Sequence, residues 1–216
     1  MAAARAADND VLLKALSYGL EESFWPSDSG EEIGVLGAAR FVLAKRLASG
    51  GLRRGGCEDE LEDLLARAEI LEPDEDELDL AARIERRAAE IGLDLDGGES
   101  QLAAICALRE IPLLETGDKR AIAGFEPLAG EFSELAAICG RIRCLEQIAH
   151  RLAADEPDFD DLVASICGEP DVDRSLSICF SCLSDAVASQ DGVLAALRSY
   201  ISDLRTAAPT VLEPGP

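Results

Sequence analysis

Residues 93–122, LDLDGGESQLAAICALREIPLLETGDKRAI, place one helix and one short apolar run between two turns rich in glycine and acid. Gly97 and Gly98 interrupt an acidic stretch, after which Glu99–Glu110 carry apolar side chains at helical spacing. Ile111–Leu114, IPLL, is the clearest strand candidate, because a bounded run of that length suits a buried strand better than a helix. Thr116 and Gly117 turn the chain, and a new helix starts near Asp118. Helix, strand, turn and helix in that order belong to an α/β pattern.

Outward from this stretch the chain reads mostly as helix. Asp10–Leu20 and Glu31–Ala48 show helical apolar spacing around a loop at Pro26–Gly30, and Gly50, Gly51, Gly55 and Gly56 then break the chain. Acidic helices are expected at Glu58–Ile70 and Asp74–Ile91. The second opens on Pro73 and four consecutive acids, a start that the helix macrodipole favours. Leu93–Leu95 is a further strand candidate. Beyond Glu131 the expected helices are Ser133–Ala153, Asp158–Cys167, Val172–Val187 and Asp191–Arg205, without a fixed repeat period. The organisation expected is an α/β domain over 1–128, an all-helical extension over 129–208 and a flexible tail over 209–216.

The 216 residues carry a net charge of −23, so the chain as a whole repels nucleic acid and anionic membranes, and any such binding needs a local basic face. The charge is uneven. Residues 56–97 hold 16 acids and 4 bases, whereas residues 1–55 hold 7 of each. Within those first residues Arg40–Arg54, RFVLAKRLASGGLRR, has five basic side chains and no acid. No apolar run approaches a membrane span, the first residues lack the apolar core of a signal peptide, and a cytoplasmic location is expected. Seven cysteines scattered among helical apolar positions read as buried, reduced thiols.

Three carboxylates stand at breaks between elements: Asp8 before the first apolar helix, Glu99 after two glycines, and Asp118 just past the IPLL run. Helix starts keep carboxylates ionised, as a hard cation requires, and in an open parallel sheet such turns gather where crevices form. Each position also suits a simple helix cap.

Residues 93–122 resemble the second half of a PIN domain, with a GES-type helix start followed by a helix, a strand and a T-x-D-type turn, and ADNDVLL resembles that family's opening strand end. The resemblance spans about the first 125 residues in outline. It implies a three-layer PIN-like α/β fold, with a short parallel sheet flanked by helices, that binds Mg²⁺ or Mn²⁺ and hydrolyses phosphodiester bonds, most often in RNA. Carried over by position, Asp8, Glu99 and Asp118 are the catalytic metal ligands. Asp10, Glu32 and Asp96 are auxiliary acids, and Arg40, Lys119 and Arg120 are candidate phosphate contacts. The family's second long helix usually holds a further acid, whereas Ile33–Leu47 here holds none. The same residues therefore admit a catalytically degenerate PIN-like module that binds a protein partner or a second copy of itself.

Other constellations carry less. Cys179-Phe-Ser-Cys182 has no second pair at zinc spacing, and His150 is the only histidine, without a nucleophile arranged beside it. Gly140–Gln147, with Arg141 and Arg143, reads as the start of an amphipathic helix, and in a PIN-like arrangement it would border the cleft. No phosphate-binding glycine loop is present. Nine aromatics give no basic–aromatic interleaving along the chain, and Phe24 with Trp25 reads as a core plug.

Overall fold

Arg5–Ala7 (β1) is a three-residue strand whose Ala6 and Ala7 face opposite sides, each fully buried. The computed structural model describes residues 3–49, 57–155, 159–184 and 187–216. After β1 come helices Asn9–Tyr18 (α1) and Glu21–Phe24 (α2), strand Ile33–Leu36 (β2), helices Ala39–Ser49 (α3) and Glu58–Arg67 (α4), and strand Glu69–Leu71 (β3). Helices Glu75–Glu90 (α5) and Gly97–Leu108 (α6) lead to strand Leu114–Thr116 (β4) and helix Lys119–Glu131 (α7). A 3₁₀ segment, Ser133–Ile138, precedes strand Ile142–Cys144 (β5). Helices Leu145–Asp155 (α8), Phe159–Gly168 (α9), Arg174–Cys179 (α10) and Gln190–Ala207 (α11) complete the chain.

The five strands are all parallel, in the order β3-β2-β1-β4-β5. The fold class is therefore α/β, with helices on both faces of the sheet. Ala6, Leu36, Leu114 and Ile142 join one apolar cluster with α5, α6 and α7. Ala7, Ile33 and Val35 join a second with α1, α3, α4 and α8. Gly34 is required where β2 meets β3, since a Cβ there would stand 2.7 Å from Leu71 Cδ1. Helix α11 spans both clusters, with Val193 and Leu197 in one and Ile201 and Leu204 in the other.

Several expectations are corrected. Glu31–Ala48 is not one helix, because Ile33–Leu36 is strand β2, buried at all four positions. A short run that is apolar on both faces has no periodicity by which helix and strand can be told apart. The helix expected to reach Ile70 ends at Arg67, and Ile70 lies in β3. Leu93–Leu95 forms no strand, and β4 begins only at Leu114, beyond Pro112, which has no N–H to give a ladder.

The C-terminal region is not all helix. Its segment Ser133–Ala153 contains β5, which pairs with β4 from Leu114↔Ile142 to Thr116↔Cys144. The 128/129 boundary falls inside α7. Residues 209–216 are not a loose tail: Val211 and Leu212 are buried, and Leu212 bridges to Ile142. Cys167 and Cys182 form a disulfide, against the expectation of reduced thiols, so Cys182 cannot act with Cys179 as a zinc pair. Phe24 and Trp25 are buried as expected. Arg53, Arg54 and the glycines at 50, 51, 55 and 56 lie outside the described residues. Among the described residues no helix is long and apolar enough to cross a membrane.

Candidate functional site

The strand order reverses direction at β1. The chain moves to one side through β2 and β3, then returns to β1's other side at β4, which opens a crevice at the carboxyl ends of β1 and β4. Asp8 is the first residue after β1, and its amide still completes the ladder by donating to the Glu115 carbonyl (2.9 Å). Asp118 follows β4 by two residues. One side chain ties the two together: the Thr116 hydroxyl donates to Asp8 Oδ2 (3.2 Å) and accepts from the Asp118 amide (3.2 Å).

Three helices begin at this crevice, each with a carboxylate cap. Asp8 caps α1, its Oδ1 accepting from the Asn9 amide at 2.7 Å. Asp118 caps α7 through the amides of Arg120 (2.8 Å) and Ala121 (3.3 Å). At α6, Asp96 and Glu99 form a reciprocal capping box: Asp96 Oδ1 accepts from the Glu99 amide (2.9 Å) and Glu99 Oε2 from the Asp96 amide (2.8 Å). Together with Asp10 these side chains line one open cleft of about 690 Å³, bordered by Arg46 and Arg120. Gly117 makes room for the cluster, since a Cβ there would collide with Asp10 Oδ2.

The electrostatics are those of crowded like charges. Burial, then the negative charge of Asp10, pushes the Asp8 carboxyl up from 3.8 to about 6, against the Asn9 hydrogen bond. Glu99 rises from 4.5 to about 7 through burial. The charges of Asp96, Asp118 and Asp8 add to that rise, and the Asp96 amide opposes it. Asp118 goes the other way: burial would raise it, but the Arg120 guanidinium and two amides hold it below the ordinary value. Arg120 reaches Asp118 Oδ2 and Asp94 Oδ2, each at 2.8 Å.

Five of the sequence-predicted acids, Asp8, Asp10, Asp96, Glu99 and Asp118, therefore share the cleft. Glu32 does not. It precedes β2 at the amino end of the sheet, where its carbonyl accepts from the Ala4 amide. Arg40 is exposed but does not line the cleft, which is bordered by Ala38, just before α3, and by Val42 and Arg46 of α3. Lys119 turns away, to Glu146 (2.5 Å) and Ser175 (3.0 Å). Arg141 and Arg143 do not begin a helix. Arg143 lies in β5, bound to Glu213 (2.6 Å) and to Glu115 (3.1 Å), whose side chain leaves β4 on the face opposite Thr116. His150 is buried in α8.

Sequence reasoning missed two contributors. Thr116 is legible only once its two acids are known to meet. Lys14 holds Asp10 at 2.6 Å and Asp173, the cap of α10, at 2.8 Å, and only the i,i+4 spacing of Asp10 and Lys14 hinted at it.

No family model, no curated protein and no solved structure matches the chain. The site's donors are carboxylate oxygens, as a hard divalent cation prefers; Asp8 and Glu99 are raised by burial and neighbouring negative charge, whereas Asp10 is paired with Lys14 and Asp118 with Arg120. Among the described residues, no three acids, histidines or cysteines stand close enough to form one ligand set. The two observations fit together, because Asp8, Asp96, Glu99 and Asp118 are turned onto helix caps, Asp118 also onto Arg120, and Asp10 onto Lys14. Direct ligation by three of them requires the carboxylates to move closer together.

Proposed function

We propose that the cleft is the active site of a PIN-like, metal-dependent nuclease that hydrolyses phosphodiester bonds in RNA. The observation that carries the reading is the meeting of Asp8, Glu99 and Asp118, separated by up to 110 residues of chain, at the switch point of a parallel sheet. Asp8, Glu99 and Asp118 would hold Mg²⁺ or Mn²⁺, with Asp10 and Asp96 adding negative charge. Such a cation, when bound, lowers the pKa of a coordinated water and offsets charge growing on phosphorus. The chain's own groups supply the rest. Arg46 and Arg120 meet phosphate oxygens at the cleft border. Thr116 fixes the spacing of Asp8 and Asp118. Glu99 commits Oε2 to its cap and keeps Oε1 for a proton or a cation, so its carboxyl stands near neutrality ready to exchange one for the other.

A second reading, a catalytically degenerate PIN-like module, is favoured by one observation: Arg120 already supplies positive charge to Asp118. The two readings part on a single experiment. Purified protein is incubated with end-labelled single-stranded RNA and Mn²⁺, beside Glu99→Gln and Asp118→Asn. Mn²⁺-dependent cleavage lost in both variants supports the nuclease. Absence of cleavage, together with no Mn²⁺-induced rise in melting temperature, supports the degenerate module. Cleavage that survives both substitutions belongs to a contaminant.

A further inference from the structure

Helix α3 carries Arg40, Lys45 and Arg46 and no acid, in a chain whose net charge is −23. Its core face is complete without any aromatic: Ala39, Leu43 and Leu47 are buried against the second apolar cluster. Ala38, Val42 and Arg46 border the acidic cleft. Phe41 and Lys45 are the i+3 neighbours of Ala38 and Val42, so they form the next stripe outward, at the cleft's rim. Phe41 is 76% exposed. All nine aromatics lie among the described residues, and each of the other eight is buried or half-buried. The one bare ring thus stands on a helix whose charged residues are all basic, beside a cleft lined by carboxylates.

We infer that α3 is the entry track for a single-stranded nucleic acid, with a base stacked on Phe41 and the flanking phosphates held by Lys45 and Arg46. The strand's destination rests on the nuclease reading of the cleft; the binding does not. An acidic protein admits a polyanion only where basic side chains gather, and α3 carries three of them and no acid of its own beside the cleft. The ring selects the form of the polymer. A base in a duplex has both faces covered by its neighbours, whereas an unpaired base offers a face to stack against. Basic side chains alone would accept either form.

The test is fluorescence anisotropy with a fluorescein-labelled 12-nucleotide single-stranded RNA and the matching duplex. The full chain is titrated at several salt concentrations, with and without Mn²⁺, and a 5-iodouridine RNA is photocrosslinked to map the adduct. Phe41→Ala is expected to weaken single-strand binding about tenfold with an unchanged salt slope, and Phe41→Trp to retain it. Lys45→Gln is expected to lower the slope by about 0.7. The adduct should fall on Phe41, and duplex affinity should not respond to Phe41→Ala.

No binding by the wild type overturns the inference, as does equal affinity of Phe41→Ala, or equal loss on single strand and duplex. A dimer seen by light scattering that Phe41→Ala abolishes also overturns it, in favour of a second copy seated on the ring. The two proposals fail separately. Phe41-dependent binding without hydrolysis removes only the nuclease, and Glu99-dependent hydrolysis with Phe41-independent binding removes only the track.

Discussion

Replacing Asp8 by Asn tests whether the crowding of carboxylates is real. In the folded chain this carboxyl titrates at about 6 instead of 3.8, because burial and the charges of Asp10 and Asp96 penalise its ionised form. That displacement corresponds to roughly 3 kcal/mol between the two protonation states. The sign follows from linkage: a raised carboxylate binds its proton more tightly when folded, so its contribution to stability is whole below pH 3.8 and is lost as pH climbs through about 6. At pH 7.5 the wild type bears the full penalty, and at pH 5 about half of it. Asn at position 8 keeps an oxygen for the Asn9 amide and an amide group opposite the Thr116 hydroxyl, and it carries no charge. Losing a negative charge at a helix start returns about 0.5–1 kcal/mol of the gain. The metal-free variant should therefore be more stable than wild type at pH 7.5 by about 2–2.5 kcal/mol, or about 4–10 °C in Tm for a chain of this size. Thermal and urea melts in EDTA at pH 7.5 and 5 measure it. The advantage should shrink at pH 5 and reverse in Mn²⁺, where the wild type alone gains from binding. A variant less stable than wild type at pH 7.5 in EDTA, or a gain independent of pH, refutes the electrostatic account of the site.

Three further outcomes follow from particular contacts. Lys14→Met strands the carboxylates of Asp10 and Asp173, each within 2.8 Å of its ammonium, and should cost about 3–5 kcal/mol in chemical denaturation; adding Asp173→Leu should recover part of that. Trp25→Phe removes the indole N–H that Glu115 accepts at 2.7 Å in a fully buried position, and should lower stability by about 1–3 kcal/mol, with Trp25→His as the partial rescue. Reducing the Cys167–Cys182 bond, which closes a separation of 15 residues, should lower the urea midpoint by an amount equivalent to about 3 kcal/mol, and Cys167→Ser should match the reduced protein.

The sequence by itself determined what depends on near neighbours. Asp8, Glu99 and Asp118 were legible as helix starts because a cap bonds amides one to three residues away, and the acid-led start of α5 was legible for the same reason, whereas Asp96 showed itself as the cap of α6 only in the structure. Only the tertiary structure decided the rest. Ile33–Leu36 became a strand by pairing with β1 and β3, which no local period announces in a run buried on both faces. Arg143 became part of β5 because its charge is met by Glu115 and Glu213, 28 and 70 residues away. The meeting of Asp8 with Asp118 and Glu99, the departure of Glu32 and Lys119 from their company, and the exposure of Phe41 all follow from the order of five parallel strands. Capping is a property of a few consecutive residues, whereas a cleft is made by segments that touch only after the sheet has brought their ends together.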